Sequence, residues 1–225
     1  GAARWQIGKN KMAYSGSLVA ENNENSFSYI DLYGKKTTLK HAKVKSISSV
    51  HQAQIKLSKK QQLSVGLWYQ NTNRELPGSM TMSSSDQQQW DEVLRSTLKW
   101  NYTSSLVYHS VRLAYIDENE NYKSPVAQID AWYKLKTVLA ESENKILLNS
   151  SVTLGYGLSY KLIRADIDSY QTLKTQQEGI LWISSIYNHS KSGFKAVLNL
   201  RQDFIKDYKG IAQTSYTFKY ERSTK

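Results

Sequence analysis

Residues Ser151 to Leu162 read SVTLGYGLSYKL, and this stretch decides the fold. Its even-numbered positions are valine, leucine or tyrosine, whereas its odd-numbered positions are serine, threonine, glycine or lysine. A β-strand turns successive side chains to opposite faces, while a helix repeats about every 3.6 residues, so an unbroken alternation of this length predicts a strand. One face of that strand is apolar and the other is polar.

The same alternation recurs along the chain. From Gln62 to Gln70, leucine, valine and tyrosine on one face oppose polar residues on the other, and Trp68 is the one exception. Shorter alternating runs lie around 94–100, 128–139 and 215–220. We therefore expect an all-β fold of about eleven long strands and no helix. The pattern is blurred in the first two strands and near 180–187, where Ile180, Leu181, Trp182 and Ile183 are consecutive apolar residues.

The predicted connections between strands alternate between short and long. The short ones are 58–61, 102–104, 141–145 and 190–193, and the long ones are about 31–45, 73–90, 117–126 and 164–177. Long antiparallel strands joined in this way form an up-and-down meander, which is typical of a transmembrane β-barrel with short turns on one side and long loops on the other.

Proline usage agrees with a barrel. Average usage predicts about eleven prolines in a chain of this length, but the sequence contains two, Pro77 and Pro125, and both fall in predicted loops. Proline removes a hydrogen-bond donor from a strand ladder, and a bilayer offers no water to replace that donor.

The competing interpretation is a soluble β-rich module, for example a carbohydrate-binding sandwich. Sandwich strands are usually about 5 to 6 residues long with turns every 8 to 12, whereas several runs here are about twice as long. Aromatic residues also lie near the predicted strand ends, as in the interfacial girdles of membrane barrels. They are Tyr69, Trp100, Tyr102, Tyr115, Tyr160 and Tyr220. These observations favour the membrane barrel.

The composition excludes several classes of protein. The 225 residues include no cysteine, which excludes a disulfide scaffold, a cysteine nucleophile and a thiolate metal site. No run approaches the roughly 18 apolar residues that a membrane-spanning helix needs. Walker loops, nucleophile elbows and dinucleotide-binding glycine patterns are not found either. We therefore expect a protein that is not an enzyme.

The net charge of +11 comes from 30 lysines and arginines against 19 acidic residues. If the apolar face meets lipid, strand parity points most strand bases towards the barrel lumen, where they would attract an anionic ligand or form local ion pairs with residues such as Asp130 or Asp203. The lumen-facing candidates are Arg95, Lys99, Arg112, Lys134, Lys136, Lys161 and Arg201. Nucleic acid is not an expected partner, because bases and aromatics mostly occupy opposite faces.

The segment Asp117, Glu118, Asn119, Glu120 and Asn121 is rich in oxygen ligands, which Ca²⁺ prefers. We predict a solvated acidic loop there and keep a Ca²⁺ site, with Asp117, Glu118 and Glu120 as ligands, as the alternative. No other cofactor is expected, since the four histidines have no partner at metal-binding spacing.

Four stretches carry a resemblance to a known family. They are LWYQNTNRELPG (Leu67 to Gly78), DEVLRSTLKWNY (Asp91 to Tyr102), VRLAYIDENENY (Val111 to Tyr122) and LNLRQDFIKDYKGIAQTSYTFKY (Leu198 to Tyr220). They resemble the barrel region of TonB-dependent outer-membrane receptors, particularly Bacteroidetes receptors of the vitamin B12 receptor class. The resemblance covers most of the chain from about residue 54.

The resemblance implies a location in the bacterial outer membrane and uptake of a scarce nutrient, such as cobalamin, through a barrel of about 22 strands. Its implied partners are outer-membrane lipid, the nutrient ligand and the TonB complex, which acts through a plug domain. We find neither a plug nor a TonB box in this sequence, so we expect residues 1–225 to be one partial barrel domain. Such a slice exposes two edge strands, and we expect it to pair strands with other copies.

The segment from Asn73 to Trp90 is predicted to be a long extracellular loop. Binding residues concentrate on loops that a rigid scaffold carries. The candidates for ligand contact are Arg74, Glu75, Leu76, Met80 and Met82.

Overall fold

The computed structural model describes residues 1–78, 86–169, 172–189, 193–206 and 211–220, the last segment as backbone only. The strands are β1 (Ala2–Lys9), β2 (Met12–Asn23), β3 (Ser28–Ile30), β4 (Lys36–Thr38), β5 (Val44–Lys56), β6 (Gln61–Leu76), β7 (Gln87–Thr103), β8 (Val107–Ser124), β9 (Ile129–Leu147), β10 (Val152–Ile167), β11 (Lys174–His189), β12 (Phe194–Ile205) and β13 (Ile211–Tyr220). None of the described segments forms a helix long and apolar enough to cross a membrane.

Eleven of these strands form one antiparallel sheet in which each strand pairs with its neighbours in the chain. The other two, β3 and β4, form a small hairpin within the connection from β2 to β5. The predicted all-β meander of about eleven strands is confirmed, including the blurred region, which forms β11. The sheet order leaves β1 and β13 at its two edges.

The ladder assigns every strand residue to one of two faces, because cross-strand partners in register share a face. Arg95 lies opposite Trp68, and we call their side of the sheet the polar face. Leu98 lies opposite Val65 and Leu113, and we call their side the apolar face.

The apolar face carries a band of exposed, large apolar side chains. Its members include Val65, Leu67, Leu98, Leu113, Val138, Tyr156, Leu158, Tyr160, Leu181, Ile183, Leu198 and Leu200. Ala42 is the one buried apolar side chain among the residues described. The accessible surface is 16045 Å², whereas a compact monomer of this mass exposes about 10,500 Å². The sheet therefore has almost no apolar core of its own.

Tyrosines mark the upper boundary of this band. Tyr69, Tyr115 and Tyr160 lie inside β6, β8 and β10 rather than at the predicted strand ends. Tyr69 donates a hydrogen bond to Glu92 (3.0 Å), and Tyr115 donates one to Asp117 (2.8 Å). A tyrosine that packs its ring on apolar neighbours and donates its hydroxyl to a carboxylate suits the edge of a bilayer. The strands continue beyond it.

The predicted loop lengths need correction for this reason. Residues 117–124 belong to β8, so the connection to β9 is the short segment 125–128. Residues 141–145 belong to β9, and the turn that follows is 148–151. Above the apolar band polar residues are common on both faces, so the regular alternation is lost while the backbone ladder continues. Pro77 and Pro125 both lie outside the strands, as predicted.

Candidate functional site

Most of the predicted basic residues do share the polar face. Lys99 lies opposite Arg112, and the register places Arg95, Lys161 and Arg201 on the same side. On that side, acidic residues alternate with the bases across neighbouring strands. The polar face is therefore the candidate functional surface.

The prediction for Lys134 and Lys136 is wrong. Lys136 lies opposite Asp117 on the face that carries Tyr115, and Lys134 lies opposite Asn119 on the same face. The cue of parity was misleading in β9, because Tyr133, Leu135 and Leu139 lie on the polar face and the lysines between them lie on the other. Lys136 pairs with Asp117 at 3.6 Å.

Ion pairs neutralise most of the bases on the polar face. The nitrogen–oxygen distances are 2.8 Å for Arg95 to Glu118, 3.0 Å for Arg112 to Glu141, 3.0 Å for Lys161 to Glu178 and 2.6 Å for Arg201 to Asp203. Arg74 is also paired with Asp91. Because these groups are partly exposed, each pair contributes only about 0–1 kcal/mol to stability. These bases are therefore locally paired, as in one of the two expectations for a polar face; that this face lines a lumen stays a prediction.

One basic pair keeps excess positive charge. Lys99 and Arg112 lie side by side, and like charges in direct register repel each other. Glu141 pairs with Arg112, whereas Lys99 makes no ion pair with any residue in the described part of the chain. A cavity of about 210 Å³ near Arg112 is lined by one base and two acids, Arg112, Glu141 and Glu143, together with serines and apolar residues. Lys99 is therefore the member of this pair whose charge is not matched by a carboxylate among the described residues.

Arg95 is held by two contacts on the polar face. Its guanidinium carbon lies 4.5 Å from the centre of the Trp68 ring, and its terminal nitrogen pairs with Glu118. The Nε donors of Arg74 and Arg95 are buried and have no hydrogen-bond partner among the residues described.

Trp182 covers two glycines on the polar face, a contact that the sequence did not suggest. A Cβ at Gly157 would lie 2.7 Å from the indole ring, and one at Gly155 would lie 3.3 Å from it. Aromatic rings that cover strand glycines help to pin the register of a sheet. The alternating glycines of the GYG triplet at 155–157 were the only available signal.

The predicted ligand-contact loop is partly strand. Arg74, Glu75 and Leu76 form the end of β6, and the ladder runs on to the pair of Leu76 with Gln87. Successive side chains alternate, so Arg74 and Leu76 are on the polar face while Glu75 is on the other. Met80 and Met82 lie outside the described residues.

The acidic segment that could have held Ca²⁺ is also strand rather than loop. Glu118 and Glu120 point to the polar face and Asp117 to the apolar face, because β8 is extended there. Three carboxylates cannot converge from opposite faces of one sheet. In the part of the chain that the structure describes, no group of three acidic or histidine residues could hold a metal ion.

Asp130 lies just beyond the turn after β8, near the same end of the sheet. It accepts a hydrogen bond from Asn121 (2.8 Å) and pairs with Lys123 (3.2 Å). The Asn121 hydrogen bond and, after it, the Lys123 contact lower the pKa of Asp130 below its ordinary value. This carboxylate therefore stays ionised where it meets solvent.

Among solved structures, the chain is similar to proteins that are described as siderophore receptors and iron transporters. The chain is similar to the siderophore receptor PirA from Pseudomonas aeruginosa, with a TM-score of 0.72 and 10% identity over 96% of this chain and 35% of that one. The FrpB iron transporter from Neisseria meningitidis, F3-3 variant, matches with a TM-score of 0.69 and 11% identity over 96% of this chain and 40% of that one. A mutant of the ferric enterobactin receptor PfeA from Pseudomonas aeruginosa matches with a TM-score of 0.69 and 10% identity over 99% of this chain and 39% of that one.

At these identities the similarity establishes the fold alone. No protein-family model and no curated protein sequence matches the chain. The chain spans only 35% to 40% of the length of these three structures.

Proposed function

We propose that the chain forms part of the wall of an outer-membrane, TonB-dependent receptor that imports a scarce nutrient. The observation that carries this proposal is the two-faced sheet. One face exposes a continuous apolar band, and the other carries ion-paired polar residues. A soluble protein would bury that band, because each buried leucine or isoleucine contributes about 1.5–3 kcal/mol. Lipid covers it without a second layer of protein.

The role of such a wall is transport rather than catalysis. It holds polar groups in the lumen and connects them to the external loops. Outer-membrane lipid, a nutrient ligand and the TonB complex, which acts through a plug, are its proposed partners.

A ferric siderophore is the leading ligand class in this proposal, because the structures that share the fold are described as receptors or transporters for siderophores and iron. Cobalamin, which the sequence resemblance implied, is the second candidate. The positive charge of Lys99, which stands beside the paired Arg112, suits an anionic chelate or the phosphate of a corrinoid.

The experiment follows uptake in cells that express the complete protein. Labelled iron offered as ferric siderophores and labelled cyanocobalamin are supplied with and without a protonophore, and membrane and soluble fractions are separated. We expect the protein in the outer membrane and energy-dependent uptake of one ligand class. Recovery of the protein in the soluble fraction would contradict the proposal.

The connection between β6 and β7 is proposed as a ligand-contact loop, with the adjacent Arg74 as part of the contact. Deleting residues 77–86 should weaken ligand binding, whereas shortening the connection at 168–173 serves as a matched control. Equal binding by both deletion variants would remove the loop from the proposed contact surface.

A further inference from the structure

Two rows of side chains form a block above the tyrosine boundary on the apolar face. Each row crosses β6, β7, β8 and β9 through directly paired residues. The first row is Asn71, Glu92, Asn119 and Lys134, and the second is Asn73, Trp90, Asn121 and Trp132. We call these eight residues the Trp–Asn block.

The two tryptophans of the block lie beyond the tyrosines, farther from the apolar band. Trp90 lies four residues beyond Leu94 on β7, about 13 Å along the strand. The row of Trp90 and Trp132 is separated from the apolar band by two rows that carry charges. The nearer of these to the band contains Asp117 and Lys136, and the next contains Glu92 and Lys134. Large aromatic side chains at a charged surface suggest a binding role, since tryptophan is enriched where a ligand or partner is recognised.

The block surrounds a concave site of about 370 Å³. The lining residues that matter here are Trp90, Trp132, Asn71, Asn119, Asn121 and Glu92. This volume falls within the range of small-molecule sites, roughly 300–1,000 Å³. It faces away from the lumen, so it is separate from the surface proposed to meet the nutrient.

The polar groups in the block are oriented by their neighbours. Asn121 donates to Asp130 (2.8 Å), and Asn119 donates to Asp117 (3.2 Å). Glu92 accepts a hydrogen bond from Tyr69 (3.0 Å). A carboxylate and an amide can each accept more than one hydrogen bond, so acceptors remain for a ligand.

The aromatic groups have a spacing that suits a short saccharide. Trp90 and Trp132 are separated by Asn121, which places their strands about 9.6 Å apart. Lys123 and Lys134 approach the two rings at 5.8 and 5.3 Å from the ring centres, close to the limit of about 6 Å for a cation–π contact. These cation–π contacts are therefore weak, and a ligand that displaces either ammonium group from its ring gives up little binding free energy.

These features point to one class of ligand. A sugar ring has an apolar face of C–H groups that stacks on indole, and a rim of hydroxyl groups that needs both donors and acceptors. Two tryptophans with asparagine amides and a carboxylate between them supply this combination.

We propose that the Trp–Asn block binds saccharide, namely the sugar headgroup of a glycolipid in the leaflet around the barrel. The choice of a glycolipid rests on the proposed membrane function. The block lies on the lipid-facing side and begins directly above the tyrosine boundary, at the height of lipid headgroups. An acyl chain against the band would place its headgroup at the block.

The test measures saccharide binding by calorimetry with the chain folded in detergent micelles. The probe is the soluble core oligosaccharide that deacylation releases from rough lipopolysaccharide. We expect Trp90→Ala and Trp132→Ala to weaken binding by about tenfold or more, because each removes a stacking surface. Trp132→Phe, which keeps an aromatic face, should retain part of the affinity.

Trp100→Ala is the matched control, since Trp100 lies on β7 and on the same face as Trp90 but at the other end of the strand. It should leave the affinity within about twofold of the wild type. Equal affinities for the Trp90, Trp132 and Trp100 variants, or no binding by the wild type, would overturn the site.

A second comparison identifies the source of the sugar. The same variants are placed in phospholipid nanodiscs with and without rough lipopolysaccharide. Retention of lipopolysaccharide that depends on Trp132 supports the glycolipid, and indifference to Trp132 overturns that assignment.

Insertion into vesicles is measured separately and tests the proposed function. A chain that inserts but binds no saccharide overturns the site alone. A chain that stays in the aqueous phase and binds saccharide through Trp132 overturns the receptor and supports the soluble carbohydrate-binding module instead.

Discussion

A charge placed in the apolar band should block membrane insertion, and Leu158 is the best position for it. Leu158 lies on β10, and its side chain is 49% exposed on the apolar face. The apolar positions of β10 run from Val152 to Leu162, about 33 Å along the strand at about 3.3 Å per residue. A tilt of about 40° reduces this length to a height of about 25 Å, which matches a hydrocarbon band of about 25 Å. Leu158 stands near the centre.

The cost follows from that depth. An arginine or lysine at the bilayer midplane of a β-barrel destabilises the folded state by about 2–4 kcal/mol, falling to about 0–1 kcal/mol near the interface. Leu158→Arg should therefore lower the folding equilibrium constant by about 30-fold to 900-fold. Val152→Arg, at the lower end of the band, should cost about 0–1 kcal/mol.

The matched control changes the next residue along the same strand. Ser159 points to the polar face and lies opposite Glu141, so Ser159→Arg gains a carboxylate neighbour and should cost less than about 1 kcal/mol. Stability is measured by urea titration of the protein folded in phospholipid vesicles, with tryptophan fluorescence as the signal. In aqueous buffer the same three variants should differ little from one another.

Two results would refute this reasoning. If Leu158→Arg and Ser159→Arg lose the same stability, the assignment of the two faces is wrong. If Val152→Arg is the most costly of the three, the band does not lie across the bilayer as its length suggests.

Two further predictions concern the sheet itself. Gly157→Ala should cost about 1–3 kcal/mol by overpacking, because the new Cβ would meet the Trp182 ring at 2.7 Å and the Ser142 carbonyl oxygen at 2.5 Å. Gly8→Ala is the control, because its Cβ would meet nothing nearer than 3.7 Å, and it should change stability by less than about 0.5 kcal/mol. Equal urea midpoints for the two variants would show that Trp182 does not constrain Gly157. The chain alone should also self-associate through β1 and β13, the edge strands of the sheet. An odd number of antiparallel strands makes these two edges run in the same direction, so antiparallel contacts join like edges, β1 to β1 and β13 to β13. Size-exclusion chromatography with light scattering measures the oligomer, and a clean monomer in plain aqueous buffer would contradict this prediction.

The stretch at 151–162 illustrates what can be predicted from sequence. Its alternation predicted a strand, and the structure has β10 from Val152 to Ile167. Its apolar set, including Tyr156, Leu158 and Tyr160, lies together on the exposed apolar face. The prediction succeeded because this part of the strand separates two different environments, and the polarity of each residue matches the environment that its side chain faces.

The failures share a different location. Asp117 was predicted in a loop and lies in β8, and Lys136 was assigned to the wrong face. Arg74 was predicted in a loop and lies in β6. All three stand above the band. Polar residues are common on both sides of the strand around Asp117 and Arg74, whereas Leu135 and Leu139 lie on the polar face beside Lys136 and reverse the parity. Only backbone hydrogen bonds between strands maintain the β-structure there, and those bonds leave no periodic trace in the side chains.

The sequence by itself determined the all-β class, the approximate number of strands and the two-faced character of the band, because solvent partition acts on each residue separately. Tertiary structure alone decided how far the strands extend and which residues become neighbours. It placed Trp182 on Gly157, 25 positions away, and brought Trp90 and Trp132 into one row from different strands. Register between strands depends on ladders and turns that many residues set together, so contacts of this kind become visible only once the sheet is assembled.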